Sequence, residues 1–270
     1  MAAINSTLLL IFTFLLISCK PPQTGKKDFI SFDGTKIAYA DEGNGELVLL
    51  IHGFIVDGDI NWGESELKKQ LITDGYRVII PDLRGNGSSD KPLNEDAYKN
   101  DAEVKDLMAL IDHLSVKNYM AVGYSRGAIV LANLLTKDDR ITKAVFGGMG
   151  IGFTDPDWYR RVEFGNVFSG RTEPNEMTKG AVDYAKGVNT DFKILGYLQD
   201  HQPETSIAEL NNISIETLVI AGDEDLDNGD PEELQEQLPN SQLSIVSGDH
   251  MSTFNSKGFA DSIITFLNKR

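Results

Sequence analysis

From residue 28 onward the chain alternates short apolar runs with segments in which apolar residues recur every three to four positions. The apolar runs are mostly continuous, which is typical of parallel strands that are covered by helices on both faces. The first two runs lie on either side of Asp33-Gly34 and predict an opening hairpin. The predicted strands span residues 29–32, 36–40, 46–51, 76–80, 119–122, 143–146, 217–220 and 242–246. The pattern therefore predicts an α/β protein with a mostly parallel sheet of about eight strands and helices on both faces.

The clearest predicted helices span residues 101–114 and 259–267, where apolar side chains share one face. Between about residues 150 and 212 the alternation stops, and the chain becomes rich in glycine and aromatic residues. We interpret this stretch as a small lid inserted between the sixth and seventh strands. A lid at this position would lie over the carboxyl ends of the strands, where open α/β sheets bind their ligands.

The first 18 residues have no charged side chain and contain an apolar run at 8–17, too short for a bilayer that needs about 20 residues. They predict a signal peptide. The leader ends in Leu16-Ile17-Ser18-Cys19, which is similar to the lipobox of bacterial lipoproteins, although the usual basic residue near the start is missing. That similarity implies lipidation of Cys19 and a membrane anchor. An ordinary cleaved signal and a cytosolic protein with an unusual N-terminus remain alternatives.

We therefore divide the chain into a signal peptide at 1–18, a polar tether at 19–27 and one domain at 28–270 that carries the lid. The implied location is the bacterial cell envelope, with the domain exported to the periplasmic or surface side. Cys19 is the only cysteine, so no disulfide can form within the chain.

The 270 residues carry a formal net charge of −16, and no cluster of lysine and arginine is present. Binding to nucleic acid is therefore not expected, because phosphates require positive charge on the protein. The sequence also lacks a metal-binding cluster, a phosphate-binding glycine loop and a dinucleotide fingerprint, so we expect no cofactor.

The segment Gly123-Tyr124-Ser125-Arg126-Gly127 lies between a predicted strand and a helical pattern. This context predicts a nucleophile elbow, in which a strained turn presents Ser125 at the start of a helix. The flanking glycines are required because side chains there would clash with the strand and the helix. The alternative is an ordinary glycine and serine turn before a helix, which the surrounding pattern makes the weaker interpretation.

A serine nucleophile needs a base within hydrogen-bond reach, and the chain has four histidines. His113 lies within a predicted helix, so we expect it on a helix face or in the core. His201 lies in the predicted lid, where we expect a surface position. His52 ends the third strand, where it suits a turn. His250 follows the last strand on the same edge of the sheet as Ser125, and it is the candidate base.

The acid that orients the histidine is expected on the loop after the seventh strand, which contains several carboxylates. The residues alone do not decide among them. A calcium loop that starts at Asp223 is excluded, because its sixth and twelfth positions are Asn228 and Leu234 instead of glycine and glutamate.

Several segments together resemble the α/β-hydrolase superfamily over nearly all of residues 28–270. Residues 49–54 are similar to its strand and His-Gly-x turn, residues 81–92 to its D-x-R-G-x-G-x-S loop, and Gly222-x-x-Asp225 to its acid loop. The resemblance implies an α/β-hydrolase fold and a triad of Ser125, Asp225 and His250. Asp223 and Asp227 are the second and third choices for the acid.

The resemblance also implies an oxyanion hole formed by the backbone N–H groups of Phe54 and Arg126. The Arg126 side chain either pairs with a carboxylate below the elbow, which we favour, or points toward substrate.

We therefore expect a serine hydrolase that cleaves a carboxylic ester or related acyl bond of a small molecule through an acyl-enzyme. Thioesterase, lactonase, carbon–carbon bond hydrolase and perhydrolase activities remain open, as does a non-catalytic binding lipoprotein on the same fold. Serine at the elbow argues against dehalogenases and epoxide hydrolases of this fold, which carry aspartate there.

Overall fold

The computed structural model of the chain describes residues 25–269, and its strands form one eight-stranded sheet. In chain order the strands are β1 (Lys27–Ile30), β2 (Lys36–Gly43), β3 (Leu47–Ile51), β4 (Arg77–Pro81), β5 (Tyr119–Tyr124), β6 (Ile141–Gly147), β7 (Glu216–Gly222) and β8 (Ser241–Val246). Their order across the sheet is β1-β2-β4-β3-β5-β6-β7-β8. Strand β2 pairs antiparallel with β1 and β4, and all other pairs are parallel, which confirms the predicted sheet.

The helices cover both faces of the sheet. They are α1 (Glu66–Thr73), α2 (Ala102–His113), α3 (Arg126–Leu135), α4 (Tyr159–Phe168), α5 (Lys179–Gly187), α6 (Phe192–Asp200), α7 (Ile207–Leu210), α8 (Pro231–Glu236), α9 (His250–Thr253) and α10 (Lys257–Leu267). The apolar stripes of α2 and α3 pack on one face, and those of α1 and α10 pack on the other. Because β3 lies between these layers and between two strands, all of its residues are buried.

Strand β8 differs from the prediction that it is covered on both faces. Among the described strands it pairs only with β7, and it forms the edge of the sheet. Its residues are half-buried or exposed, and Ile245 keeps 47% of its surface accessible. The apolar content of this segment therefore reflects partial cover at an edge, not burial in the centre of the sheet.

The folded domain begins slightly earlier than the predicted boundary at residue 28. Strand β1 starts at Lys27, and the Lys26 ammonium lies 2.7 Å from both carboxylate oxygens of buried Asp82. Residues 26 and 27, assigned above to the tether, thus belong to the domain. The predicted signal peptide and Cys19 lie outside the described residues, and within residues 25–269 no helix is long and apolar enough to cross a membrane.

The segment between β6 and β7 contains α4 to α7, at the position where the sequence predicts a lid. Three of these helices share a small apolar core that includes Phe164, Phe168 and Leu195, and Ile55 and Tyr98 from outside the insertion join it. The Phe54 ring, in the turn after β3, packs edge-on against Phe168 with 5.4 Å between ring centroids. This contact places the inserted helices beside the carboxyl end of the sheet.

Candidate active site

Ser125 occupies a strained turn between β5 and α3, as the sequence predicts. Its backbone has φ 53° and ψ −123°, a conformation that costs a non-glycine residue about 1–3 kcal/mol. A Cβ at Gly123 would lie 2.4 Å from the Gly127 carbonyl oxygen, and one at Gly127 would lie 2.3 Å from that of Ile51. Both glycines are therefore required by direct backbone contact.

The structure brings Ser125, His250 and Asp225 together in one line. The Ser125 hydroxyl lies 3.0 Å from His250 Nε2, and His250 Nδ1 lies 2.7 Å from Asp225 Oδ2. Because the carboxylate can only accept, His250 Nδ1 donates to Asp225, which leaves Nε2 free to accept the serine proton. This tautomer is the one that a serine nucleophile requires.

The two other carboxylates considered for the acid do not contact His250. Asp223 accepts a hydrogen bond from the backbone N–H of Gly248, so it braces the loop that carries the histidine. Asp227 is exposed at the rim of the cavity described below. Geometry thus distinguishes Asp225 where the residues alone could not.

Asn228 is a contact that the sequence analysis missed. Its buried amide donates to Asp225 Oδ1 at 2.9 Å and lies 2.9 Å from His250 Nδ1. It sits three residues after Asp225 in the same loop, so the spacing was visible, but nothing in the sequence showed that the loop turns back on itself. Asn228 holds the second carboxylate oxygen while the first faces the histidine.

The turn after β3 runs directly beside the elbow. A Cβ at Gly53 would lie 3.4 Å from the Ser125 Cβ, and the Gly53 N–H donates to Asn61 Oδ1 at 2.9 Å. Within residues 25–269 the backbone N–H groups of Phe54 and Arg126 donate no hydrogen bond, and Arg126 is the first residue of α3. Both donors are therefore available to a ligand oxygen.

His52 holds this turn from beneath and does not contact Ser125. The fully buried ring accepts the backbone N–H of Leu83 at Nε2 and donates from Nδ1 to the Gly53 carbonyl oxygen, at 3.0 and 2.8 Å. Both ring nitrogens are thus used by a neutral imidazole, and burial lowers the pKa of His52. The role in the turn matches the prediction from sequence.

The lowered pKa of His52 predicts a loss of stability in mild acid. In the unfolded chain His52 binds a proton near pH 6.5, whereas in the folded chain the buried ring stays neutral to lower pH. The contribution of His52 to the free energy of unfolding is therefore complete above pH 6.5 and is lost as the pH falls. We expect the free energy of unfolding to fall by up to about 1.4 kcal/mol per pH unit as the pH is lowered from 6.5 toward the folded-state pKa of His52, with pH 6.5 and pH 5 as the two points of measurement. Urea melts at both pH values check this slope.

The variant His52→Gln should be less stable at pH 7 but should lose this part of the pH dependence, whereas exposed His113→Gln should keep the wild-type slope. Equal slopes for wild type and His52→Gln would show that the buried imidazole is not the group responsible.

The Arg126 side chain points away from the elbow and pairs with a carboxylate, as we favoured. Its two terminal nitrogens donate to the two carboxylate oxygens of Glu103 on α2 at 2.6 Å each, and one also donates to the Leu198 carbonyl oxygen on α6 at 2.8 Å. Both side chains are buried. The pair therefore ties the start of α3 to α2 and to an inserted helix.

A cavity of about 520 Å³ opens above Ser125. Its wall is mainly apolar and comes from the turn after β3, the end of β6 and the inserted helices, with residues that include Phe54, Ile55, Met149, Phe164 and Met177. The two remaining histidines lie elsewhere. His201 bonds Glu95 at 2.8 Å, and His113 stacks on Phe29 with 5.3 Å between centroids.

In the described part of the chain, no group of three or more histidine, cysteine, aspartate or glutamate side chains is arranged to hold a metal ion. The groups assembled at the cavity are an alcohol, an imidazole, a carboxylate and two backbone donors. Such an arrangement can generate an alkoxide-like nucleophile and stabilise an oxyanion.

Comparison with known proteins adds a family match, a relative and two similar solved structures. A family model described as alpha/beta hydrolase fold matches residues 46–161. A putative non-heme chloroperoxidase from Synechocystis is 29% identical over 249 residues, which cover 78% of this chain and 87% of that protein.

Among solved structures, the esterase EaEST from Exiguobacterium antarcticum has a TM-score of 0.76 at 21% identity and covers 90% of this chain and 99% of its own. A bromoperoxidase from Bacillus anthracis has a TM-score of 0.72 at 24% identity and covers 90% of this chain and all (100%) of its own. At 21% and 24% identity the two structures show similarity of fold alone, and this fold is the one that the sequence predicts.

Proposed function

Because this chain belongs to the α/β-hydrolase superfamily, we propose that it is a serine hydrolase that cleaves a carboxylic ester or related acyl bond. The observation that carries the proposal is the continuous hydrogen-bonded line from Asp225 through His250 to Ser125 beneath a largely apolar cavity. A line of this kind lets a hydroxyl act as a nucleophile near neutral pH.

In the first step the Ser125 oxygen attacks the carbonyl carbon of the substrate while His250 Nε2 takes the hydroxyl proton. The carbonyl electron pair moves to oxygen, and the N–H groups of Phe54 and Arg126 stabilise the resulting oxyanion. The tetrahedral intermediate collapses when the bond to the leaving alcohol breaks, and His250 gives its proton to that alcohol. Asp225 stabilises the positive imidazole throughout.

In the second step water attacks the acyl-enzyme by the same route. His250 takes a proton from the water, a second oxyanion forms between the same two donors, and the acid product leaves as Ser125 regains its proton. Asn228 acts as a positioning residue, since its amide fixes the Asp225 carboxylate that orients His250.

A fluorophosphonate probe and a panel of nitrophenyl esters, thioesters and lactones test this proposal on the purified full chain. We expect the probe to label Ser125, identified by mass spectrometry of the labelled peptide, and the panel to show which acyl bond is cleaved. A well-folded protein that stays unlabelled and hydrolyses nothing would overturn the proposal in favour of a non-catalytic binding lipoprotein.

A second candidate is perhydrolase activity, which the similarity to a putative non-heme chloroperoxidase favours. Hydrogen peroxide would replace water in the second step: its oxygen attacks the acyl carbon, His250 takes the proton, and a peracid leaves as Ser125 is released. The peracid can then oxidise a halide outside the protein. Peroxide-dependent bromination of a dye that requires an acyl donor would support this activity, and bromination independent of the acyl donor would count against it.

We also propose that Cys19 carries a lipid that anchors the chain to the bacterial cell envelope, an inference that rests on the sequence around Cys19. Cells grown with labelled palmitate should incorporate label into the wild-type chain but not into Cys19→Ala. Equal secretion of both forms into the soluble fraction would contradict the anchor.

A further inference from the structure

Arg160 places a positive charge in the wall of the cavity without an anionic partner. Arg160 is the second residue of α4 and lines the cavity above Ser125. Its guanidinium carbon lies 4.8 Å from the centroid of the Phe164 ring. Within residues 25–269 its guanidinium forms no ion pair and donates no hydrogen bond. Because arginine stays protonated at any ordinary pH, the cavity keeps this charge.

A shortage of carboxylates does not explain the unpaired arginine. The chain has 41 aspartate and glutamate residues against 25 lysine and arginine residues. Asp225 and Asp227 influence Arg160 only from beyond ion-pair distance, and burial is the main cause that lowers the pKa of Arg160. Asp225 is already bound to His250 and Asn228, and Asp227 is exposed.

The next residue behaves differently and provides a comparison within the same helix. Arg161 pairs with Glu204 at 2.9 Å, so its charge is compensated by the protein itself. Two adjacent arginines on α4 thus line one cavity, but of the two only Arg161 has a carboxylate partner among residues 25–269.

Gln202 adds a neutral donor to the same cavity. The side chain is buried and lines the cavity, and its Nε2 has no hydrogen-bond partner among the described residues. A buried amide nitrogen without an acceptor is costly, so such a group is expected to meet one when the cavity is occupied. A guanidinium and an amide are both donors, and the ligand that suits them is an acceptor with negative charge.

We propose that the substrate of this enzyme carries a free carboxylate in addition to the acyl bond that is cleaved, and that Arg160 binds this carboxylate with Gln202 as a second donor. The inference rests on the proposed hydrolase function, and it names the substrate class: half-esters and related monoacyl derivatives of dicarboxylic acids. Arginine and carboxylate match in geometry as well as charge, because the planar guanidinium can donate two parallel hydrogen bonds. The apolar remainder of the wall suits the hydrocarbon chain between the two ends.

A matched pair of esters tests the proposal. Mono-p-nitrophenyl adipate bears the carboxylate, and p-nitrophenyl 6-methylheptanoate replaces it with an isopropyl group of similar shape. We expect the wild type to have a higher kcat/KM for the adipate than for the heptanoate. Arg160→Gln should lower the ratio of adipate to heptanoate kcat/KM by about 10- to 100-fold. Gln202→Met should lower it less, and Arg161→Gln should leave it within about twofold of the wild type. Thermal melts show that each variant is folded.

A binding experiment separates this inference from the proposed function, because it needs no turnover. In a Ser125→Ala background, calorimetry should show that monomethyl adipate binds about 10- to 100-fold more tightly than methyl 6-methylheptanoate, and that adding Arg160→Gln removes the preference. Equal affinity for the two ligands, or a preference that survives Arg160→Gln, overturns the carboxylate site even if Ser125 labels and esters are hydrolysed. Failure of fluorophosphonate labelling together with a retained carboxylate preference would instead reject the hydrolase function alone.

Discussion

Replacing Ser125 with alanine is expected to lower kcat for the preferred ester by about 10⁵- to 10⁶-fold, a loss that among the substitutions considered only one at His250 should match. The methyl group cannot attack the carbonyl, so His250 is left with no proton to accept from the protein. Some rate above that in water should remain, because the N–H groups of Phe54 and Arg126 still polarise the carbonyl and the cavity still binds substrate. Initial rates with a nitrophenyl ester measure the loss directly.

A remote serine provides the control for this substitution. Ser262 lies on α10, where its hydroxyl contacts Ser244 on β8 at the far edge of the sheet, so Ser262→Ala should keep full activity. Residual activity of Ser125→Ala above about one-hundredth of wild type would mean that another group attacks the substrate, and the proposed mechanism would then be wrong. The His250→Gln variant should fall to a similarly low rate, since serine and histidine act as one unit.

Removing one partner of the ion pair beneath the elbow is expected to cause the largest loss of stability. Glu103→Leu leaves the buried Arg126 guanidinium with the Leu198 carbonyl as its only acceptor in the part of the chain that the structure describes. Breaking a buried pair in this way costs about 3–5 kcal/mol, which corresponds to a fall of about 10 °C in the melting temperature of a chain this long. Chemical denaturation and thermal melts of the purified variant measure both quantities.

The double variant Glu103→Leu/Arg126→Met separates the loss of attraction from the cost of an unpaired charge. It should recover most of the lost stability, because two apolar side chains of similar size leave no charge buried. As a surface control, Lys179→Ala removes an exposed partner of Asp183 and should change stability by less than about 1 kcal/mol. If Glu103→Leu proves as stable as that control, water already solvates the positive charge of the Arg126 guanidinium, and the ion pair contributes little to stability.

The sequence predicted most strongly those features that depend on local pattern. All eight strands were located, because six are apolar runs and β1 and β2 lie on either side of a recognisable turn, and only β8 was wrongly expected to be covered on both faces. Ser125 was identified because its turn needs two glycines at fixed spacing, and the spacing is written in the sequence. His250 was reached by eliminating histidines on helices and turns.

What the sequence could not provide are contacts between distant segments. Asn228 reaches Asp225 only because the acid loop folds back, and Glu103 meets Arg126 only because α2 packs beside α3. The contrast between Arg160 and Arg161 depends on the position of Glu204 in three dimensions, which no local pattern reports. The choice of Asp225 over Asp223 needed the resemblance to a family, and the structure then brought Asp225 alone among them into contact with the histidine.

The salt bridge at the start of the domain has a consequence for substrate delivery. Lys26 binds Asp82, which directly follows β4 at the carboxyl end of the parallel strands, and also contacts Asp59 at 3.0 Å. Six residues lie between Cys19 and Lys26, and the seven Cα-to-Cα steps of a fully extended chain span at most about 25 Å. If Cys19 carries a lipid, this short segment joins the domain at the same edge of the sheet as Ser125. The opening of the cavity would then lie close to the bilayer surface, where it could bind molecules that partition into the membrane.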